Sequence, residues 1–154
     1  MEGDLRKGHG SAPCRACTAF KTWAKTQRQQ GKEALKEDHL GAECPLDKDE
    51  LGRSTWNFLH TMAAYYPEKP TSEEQTKMKE LIKNFSVFYP CDVCAKHLRD
   101  DIKKTPPDVS SSHALSQWFC QVHNSVNVRL GKPVFDCTRI KERWKDGWLD
   151  GSCD

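Results

Sequence analysis

The residues best suited to chemistry are two cysteines, Cys91 and Cys94, which are separated by two residues and follow Pro90. Proline is favoured in the first turn of a helix, where an N–H would have no partner, so the sequence predicts both thiols at a helix start. Unpaired backbone N–H groups and the positive end of the helix dipole favour a thiolate there. The pair is therefore interpreted as a redox centre or as two metal ligands.

The chain contains eight cysteines. Besides the central pair, they comprise a second CxxC motif and four single residues, namely Cys14, Cys17, Cys44, Cys120, Cys137 and Cys153. Zinc sites commonly use two Cys pairs about 15 to 20 residues apart, or Cys pairs followed by His pairs. Neither spacing occurs here, so we expect no bound metal, and a zinc-binding interaction module is kept as an alternative.

Length and composition indicate one globular domain. The chain has 154 residues, of which 36% are hydrophobic and 30% charged, and its mean hydropathy is -0.80. The net charge of +2 comes from nearly balanced acids and bases, so we expect no nucleic-acid partner. No apolar stretch reaches membrane-spanning length, and the first thirteen residues lack a signal-peptide core and contain acids that disfavour a transit peptide. We therefore expect no membrane span.

The chain divides by composition into residues 1–42 and 43–154. The first segment has few large apolar residues and no sustained periodicity, which is typical of a flexible arm. It contains the second CxxC motif, Cys14 and Cys17, beside Phe20 and Trp23. We interpret this segment as a mobile arm that carries a dithiol, whereas an accidental pair of cysteines in a tail is the alternative.

The second segment predicts an all-α fold: a four-helix bundle with a short fifth helix. Capping boxes formed by Asp47 with Glu50 and by Thr71 with Glu74 mark the first two helix starts. The third helix follows Pro90 and ends before Pro106. The fourth begins among residues 110–112 and ends at Gly131, and the fifth covers residues 138–148. No segment alternates like a strand, so the thioredoxin fold is excluded.

Helical periodicity also predicts the buried face of each helix. The predicted core positions on the first two helices are Leu51, Thr55, Phe58, Leu59, Met62, Tyr66, Met78, Leu81, Ile82, Phe85 and Phe88. Those on the later helices are Val93, Leu98, Ile102, Leu115, Trp118, Phe119, Val122, Val126, Leu130, Ile140, Trp144 and Trp148. Short connections between these amphipathic helices favour an antiparallel bundle.

Two polar stripes do not fit this core. Arg53, Trp56 and His60 lie three and four residues apart on the first helix, and His123 and Asn127 share a face of the fourth. Buried polar groups require partners, so these side chains bond one another or line a polar, aromatic cofactor. No glycine-rich phosphate-binding loop is present, so a nucleotide cofactor would have to lie within the bundle.

The segment HNSVNVRLGKPVFDC, the pair Cys91/Cys94, and RSTW followed by His60 closely resemble the FAD-linked sulfhydryl oxidases of the Erv/ALR family. The resemblance covers residues 44–154, and the N-terminal CRAC segment resembles an extension found in long family members. It implies a helical bundle that binds FAD, a homodimer, and thiol oxidase activity. Cys94 would then be the thiolate next to the flavin, and Cys91 the thiol that exchanges with substrate.

The resemblance also implies which residues contact FAD, namely Gly52, Arg53, Trp56, His60, Cys120, His123, Asn124, Val126, Asn127, Lys132, Arg143 and Trp144. The chemistry of these side chains agrees. Aromatic rings can flank adenine or flavin, Asn and His can bond ring edges, and Lys and Arg can meet a pyrophosphate.

Further expectations follow from the same resemblance. Cys120 and Cys137 would form a structural disulfide, worth roughly 3 kcal/mol for a loop of about 15 residues, and Cys44 and Cys153 would join two subunits. Cys14 and Cys17 would act as a shuttle that oxidises the disulfide-relay import receptor of the mitochondrial intermembrane space. Oxygen or cytochrome c would accept the electrons. Cytosolic or secreted forms, and a disulfide-stapled, growth-factor-like signalling protein, are the alternatives.

Overall fold

A computed structural model describes residues 44–153. The predicted arm, with Cys14 and Cys17, lies outside the described residues. The elements, in chain order, are helices α1 (Lys48–Ala64), α2 (Ser72–Phe88), α3 (Asp92–Lys104) and α4 (Ser112–Arg129), a 3₁₀ turn (Cys137–Arg139) and a π-helical turn (Glu142–Asp146). Residues 44–153 contain no strand. The predicted all-α class is confirmed.

Both predicted capping boxes are present. The Asp47 carboxylate accepts the backbone N–H of Glu50 at 2.8 Å, and the Glu50 carboxylate accepts that of Asp47 at 3.3 Å. Thr71 and Glu74 make the same reciprocal pair, with distances of 3.2 and 2.7 Å. These bonds satisfy amide groups that the first helical turn leaves without partners, which is why α1 and α2 begin where the sequence predicts.

The prediction that Pro90 lies in the first turn of α3 is wrong. Tyr89 is extended, with φ −61° and ψ 126°, because the residue before a proline is driven out of the helical region. Pro90 therefore lies in the connection after α2, and Cys91 is the N-cap of α3. Cys94 is the third residue of the helix, so the two thiols still flank its N-terminus.

The predicted fifth helix, residues 138–148, is present, but its hydrogen-bonding pattern changes along its length and it ends at Asp146. A 3₁₀ turn capped by the Asp136 carboxylate leads into the π-helical turn, which is followed by Gly147 with φ +89°. Ile140, between the two turns, is buried. In the wider turn, Trp144 contacts the His60 ring of α1 and Lys145 lies over the ring of Tyr65, which follows α1. Helical periodicity does not reveal these tertiary contacts.

The core lies between two helix pairs, because α1 packs along α4 and α2 packs along α3. Its buried members are Leu59, Ala63, Tyr66, Met78, Ile82, Val109, Leu115, Trp118, Phe119 and Val122. Trp118 also donates its indole N–H to the carbonyl oxygen of Thr105 at 2.8 Å, which ties α4 to the end of α3. The 3₁₀ turn packs on α4 and the π-helical turn on α1.

Five predicted core residues are exposed instead. Their exposed fractions are 64% for Phe58, 47% for Leu81, 78% for Phe88, 65% for Val93 and 53% for Leu130. Helical spacing identifies an apolar stripe but not which edge of that stripe the neighbouring helix covers. Separately, no helix in residues 44–153 has both the length and the apolarity needed to cross a membrane.

Candidate active site

The CxxC pair is oxidised in the structure. Cys91 and Cys94 form a disulfide, with their Cα atoms 5.3 Å apart. The backbone N–H of Cys94 points at the Cys91 sulfur at 3.4 Å, as expected where an N-cap side chain accepts from the first turn. Cys91 is partly buried and Cys94 is exposed. A disulfide at a helix N-terminus suits thiol exchange, because the free amides and the helix dipole stabilise a released thiolate.

Four aromatic rings and one guanidinium form a continuous cluster between α1, α4 and the π-helical turn. Trp56 stacks on His123 with centroids 4.1 Å apart and planes 4° apart. His60 stacks on Trp144 at 4.6 Å and 12°. The Arg143 guanidinium lies 4.0 Å from the centroid of the Trp144 ring, a cation–π contact. Five residues that the sequence analysis assigned to one site therefore do meet, and we call them the ring cluster.

A hydrogen bond between two imidazoles joins the stacks of the ring cluster, with His60 Nε2 2.9 Å from His123 Nδ1. Burial, followed by the charges of His123 and Arg143, lowers the pKa of His60 to about 3. Burial and the charge of Lys132 lower the pKa of His123 to about 4. Both rings are therefore neutral at pH 7, so each offers one donor and one acceptor rather than a positive charge.

The site has two features that fit a planar heteroaromatic group. His60 Nδ1 is buried and has no hydrogen-bond partner within the described residues, although buried polar atoms normally have one. Gly52 precedes Trp56 by one turn of α1, and no atom beyond its chain neighbours and the local helix backbone lies within 4 Å of the position its Cβ would take. A helix-interior glycine costs roughly 1 kcal/mol relative to alanine, so its presence is consistent with close approach of a ligand.

Asn124 holds the segment after α4 in place. Its side chain accepts the backbone N–H of Phe135 at 2.8 Å and donates to the carbonyl oxygen of the same residue at 2.9 Å. It also receives a weak bond from the Asn127 side-chain amide at 3.3 Å. The Asn124 amide group is thus bonded to the backbone of Phe135, and it holds the segment after α4 in position.

A disulfide between Cys120 and Cys137 fastens the 3₁₀ turn to α4, with an S–S distance of 2.05 Å. Cys120 is 2% exposed, and Gln117 donates to the carbonyl oxygen of Cys137 at 2.9 Å. This bridge lies one turn of α4 away from Asn124 and fixes the start of the segment that carries Arg143 and Trp144. It therefore positions one side of the ring cluster.

The remaining predicted cofactor residues do not join the ring cluster through any ring contact or hydrogen bond found in residues 44–153. Arg53 and Lys132 are exposed, and Val126 and Asn127 are partly buried. Lys132 is nevertheless tied to α4, because its backbone N–H donates to the Asn127 carbonyl at 2.8 Å.

Of the other predicted cysteines, Cys14 and Cys17 lie outside the described residues. Cys44 and Cys153 are exposed near the two ends of residues 44–153. Within that range, no three His, Cys, Asp or Glu side chains are grouped as a metal-binding set.

Sequence reasoning missed an ion pair between a buried acid and a more exposed arginine. Arg129 at the end of α4 donates to the Asp101 carboxylate of α3, and Asp101 is 8% exposed. The sequence could have predicted this pair, because Asp101 shares a helix face with the apolar residues Leu98 and Ile102. An acid that is buried on such a face needs a partner. Phe135, whose backbone bonds Asn124, gave no comparable signal.

An all-α bundle that presents a CxxC disulfide at a helix start and a separate ring cluster defines the class of helical thiol–disulfide proteins. Residues 53–145 match the model of the Erv1 / Alr family. The FAD-linked sulfhydryl oxidase ERV1 of Arabidopsis thaliana is 47% identical over 113 residues, which cover 73% of this chain and 58% of that relative. The mitochondrial FAD-linked sulfhydryl oxidase ERV1 of Saccharomyces cerevisiae is 46% identical over 104 residues, 68% of this chain and 55% of that relative.

Solved structures agree. The yeast Erv1 core is 43% identical with a TM-score of 0.71, covering 73% of this chain and 95% of that one. The FAD-binding domain of yeast Erv1 is 45% identical with a TM-score of 0.66, covering 68% and 99%. The chain belongs to the Erv1/Alr family, as its motifs predicted. It spans between 55% and 58% of the length of the two named oxidases.

Proposed function

We propose that this protein is an FAD-dependent thiol oxidase that generates disulfides in substrate proteins. The observation that carries the proposal is the Cys91–Cys94 disulfide at the N-terminus of α3, in a chain whose relatives are named FAD-linked sulfhydryl oxidases. The family match and the all-helical architecture support the cofactor assignment.

The FAD site comprises the ring cluster and its surroundings, namely Gly52, Arg53, Trp56, His60, Cys120, His123, Asn124, Val126, Asn127, Lys132, Arg143 and Trp144. The ring cluster supplies flat faces, and His60 Nδ1 supplies a buried polar atom that needs a partner. Arg53, Lys132 and Arg143 supply positive charge for a pyrophosphate. When bound, FAD accepts the two electrons that a dithiol loses on forming a disulfide.

The protein side of the reaction is thiol–disulfide exchange. A substrate thiolate attacks the Cys91 sulfur, forms a mixed disulfide, and displaces Cys94 as a thiolate. The second substrate thiolate then attacks the mixed disulfide and releases Cys91, so the substrate is oxidised and the CxxC pair is reduced. In this assignment Cys94 is the thiolate next to the flavin. The N-terminal amides of α3 stabilise both leaving thiolates, and the amide of Cys94 already points at the Cys91 sulfur.

The Cys14/Cys17 pair is the proposed shuttle between substrate and Cys91. Its position in a segment poor in large apolar residues supports this role. The substrate is the disulfide-relay import receptor of the mitochondrial intermembrane space, which becomes oxidised as the shuttle is reduced. Oxygen or cytochrome c would be the final acceptor of the electrons.

The protein works as a homodimer that is covalently joined through Cys44 and Cys153. Both cysteines are exposed, which a link between subunits requires. Phe58 on α1 and Leu81 and Phe88 on α2 are large apolar side chains without cover in one chain, as expected for a surface that a second copy buries.

The mitochondrial intermembrane space is the proposed location. Relatives in S. cerevisiae and Schizosaccharomyces pombe carry the name mitochondrial FAD-linked sulfhydryl oxidase. Persistent disulfides also require an oxidising environment or a local source of disulfides. Cell fractionation that finds a strictly cytosolic, fully reduced pool would contradict this assignment.

One absorbance spectrum, recorded before and after denaturation, tests the proposed function. We expect a yellow protein that releases FAD into the supernatant on denaturation, because no dedicated attachment motif for a covalent flavin is present. A folded protein without flavin absorbance would reject the oxidase proposal. Stoichiometric zinc in a colourless protein would instead support an interaction module, and full signalling activity without flavin would support a growth-factor-like protein.

A further inference from the structure

Asp101 is an unusual residue of the CxxC helix, because it is the single acidic side chain that is buried within residues 44–153. Its side chain is 10% exposed, and that of its partner Arg129 is 31% exposed. Arg129 Nη2 donates to Asp101 Oδ1, whereas Oδ2 is buried without a hydrogen-bond partner among the described residues. A carboxylate in such a place is costly unless it is paired, so Asp101 depends on Arg129.

The pair joins helices that otherwise belong to different halves of the bundle. The helix carrying the CxxC, α3, packs mainly on α2, and α4 packs mainly on α1. The other ion pairs found in residues 44–153 connect residues three to five positions apart, whereas Asp101 and Arg129 are 28 positions apart. The Asp101–Arg129 pair therefore connects the helix with the redox cysteines to the helix that carries His123.

Asp101 is also aligned with the cysteine assigned to the flavin. It follows Cys94 by seven residues, which places the two side chains about 20° apart around the helix axis and about 10 Å apart along it. A second tie between α4 and this region, from Trp118 to Thr105, lies farther from Cys94 along the chain. Of these two polar ties, the ion pair is therefore the one closer to the CxxC.

We propose that Asp101 and Arg129 are positioning residues that hold the CxxC helix at the orientation needed for electron transfer from Cys94. The inference rests on the proposed function, because it assumes that FAD lies at the ring cluster. Neither residue contacts the reacting sulfurs. The ion pair acts by fixing α3 against α4, so that a small tilt of α3 cannot displace Cys94. Displacements of about 1 Å at a reacting group can lower a rate by roughly 100-fold.

The test compares Asp101→Asn with Asp100→Asn in the flavin-loaded dimer. Both substitutions remove one negative charge from adjacent positions, but Asp100 makes only an exposed pair with Lys96, one helical turn away. We expect Asp101→Asn to lower kcat with dithiothreitol about tenfold while KM and the FAD content stay unchanged. Asp100→Asn should behave like the wild type.

A spectroscopic measurement separates positioning from general loss of structure. In a Cys91→Ser background, the long-wavelength absorption between the Cys94 thiolate and the flavin reports how closely the two groups approach. Asp101→Asn should weaken this band at full FAD occupancy, and Asp100→Asn should not. Equal bands and equal kcat in the two variants would overturn the proposal.

A double variant, Asp101→Leu with Arg129→Met, covers the case in which the single variant fails to fold. It replaces the charged pair by apolar side chains of similar size, which removes the polar tie without leaving a buried charge unpaired. A folded, flavin-loaded double variant with lowered kcat supports the proposal, whereas wild-type kcat or failure to fold would show that the pair serves stability alone. Absence of flavin from the wild type would instead reject the proposed function, and that spectrum is recorded first.

Discussion

His60 and His123 are bonded to each other through Nε2 and Nδ1, 2.9 Å apart, and each imidazole is stacked on a different tryptophan. One ring must donate and the other accept, so the bond requires both to share a single proton between them. Protonating the accepting nitrogen would leave two donors facing each other. Protonating the donor ring on its other nitrogen would add a buried positive charge. The histidine pair therefore makes the ring cluster sensitive to acid.

We expect the free energy of unfolding to fall as the pH drops below about 6.5, the ordinary pKa of histidine. The pKa of His60 is lowered to about 3 in the folded state, so between these values the unfolded chain binds a proton that the folded chain does not. The contribution of His60 to stability is complete above the pKa of the unfolded state. It is lost as the pH falls towards the pKa of the folded state. For His60 the loss amounts to about 2 kcal/mol between pH 7 and pH 5.

Urea unfolding at several pH values measures this effect. A His60→Gln variant should show a flatter dependence of stability on pH than the wild type. His97→Gln is the matched control, because His97 is an exposed histidine on α3. Identical pH dependence in the wild type and the His60 variant would show that His60 is not the group responsible.

The two cysteines of the CxxC should be distinguishable. Cys91→Ser and Cys94→Ser should each abolish dithiol oxidation, because exchange and electron transfer need both sulfurs. Only the Cys91 variant should retain the long-wavelength absorption, since it leaves the Cys94 thiolate beside the flavin. Absorption spectra of the two variants provide the measurement, and the band in the Cys94 variant alone would reverse the assignment.

A covalent dimer should depend on the cysteines at the ends of the described region. We expect Cys44→Ser to convert the dimer to monomer on nonreducing gels, because Cys44 and Cys153 are exposed and therefore accessible to a second chain. Cys91→Ser is the control, and its covalent dimer should persist. A covalent dimer that survives in the Cys44 variant would mean that another cysteine forms the link.

The arm should be needed for protein substrates and not for small ones. A Cys14→Ser, Cys17→Ser double variant should keep its FAD, its dimer and its oxidation of dithiothreitol, because a small thiol can reach Cys91 directly. It should lose oxidation of the relay receptor, which needs a tethered dithiol as carrier. Comparing the two rates is the measurement. Equal loss of both would place the arm in the catalytic core, and unchanged protein oxidation would exclude a shuttle.

Local features of this protein were predictable from the sequence. Asp47 with Glu50 and Thr71 with Glu74 begin helices because each capping box is closed by residues three positions apart. The all-α class followed from periodicity and from the absence of alternating segments. The family assignment followed from motifs that are short runs of neighbouring residues, such as the CxxC, and can therefore be read directly in the sequence.

Only the tertiary structure decided what depends on distant contacts. His60 and His123 are 63 residues apart, and their bond exists because α1 packs along α4. Phe58 and Phe88 obey the apolar spacing and are nevertheless exposed. Asp101 is an acid on the apolar face of its helix and is nevertheless buried, with Arg129 as its partner. Hydrogen bonds between residues four positions apart form a helix, so the local sequence determines which side chains share a face. Which of those faces becomes buried depends on how the other helices pack against it.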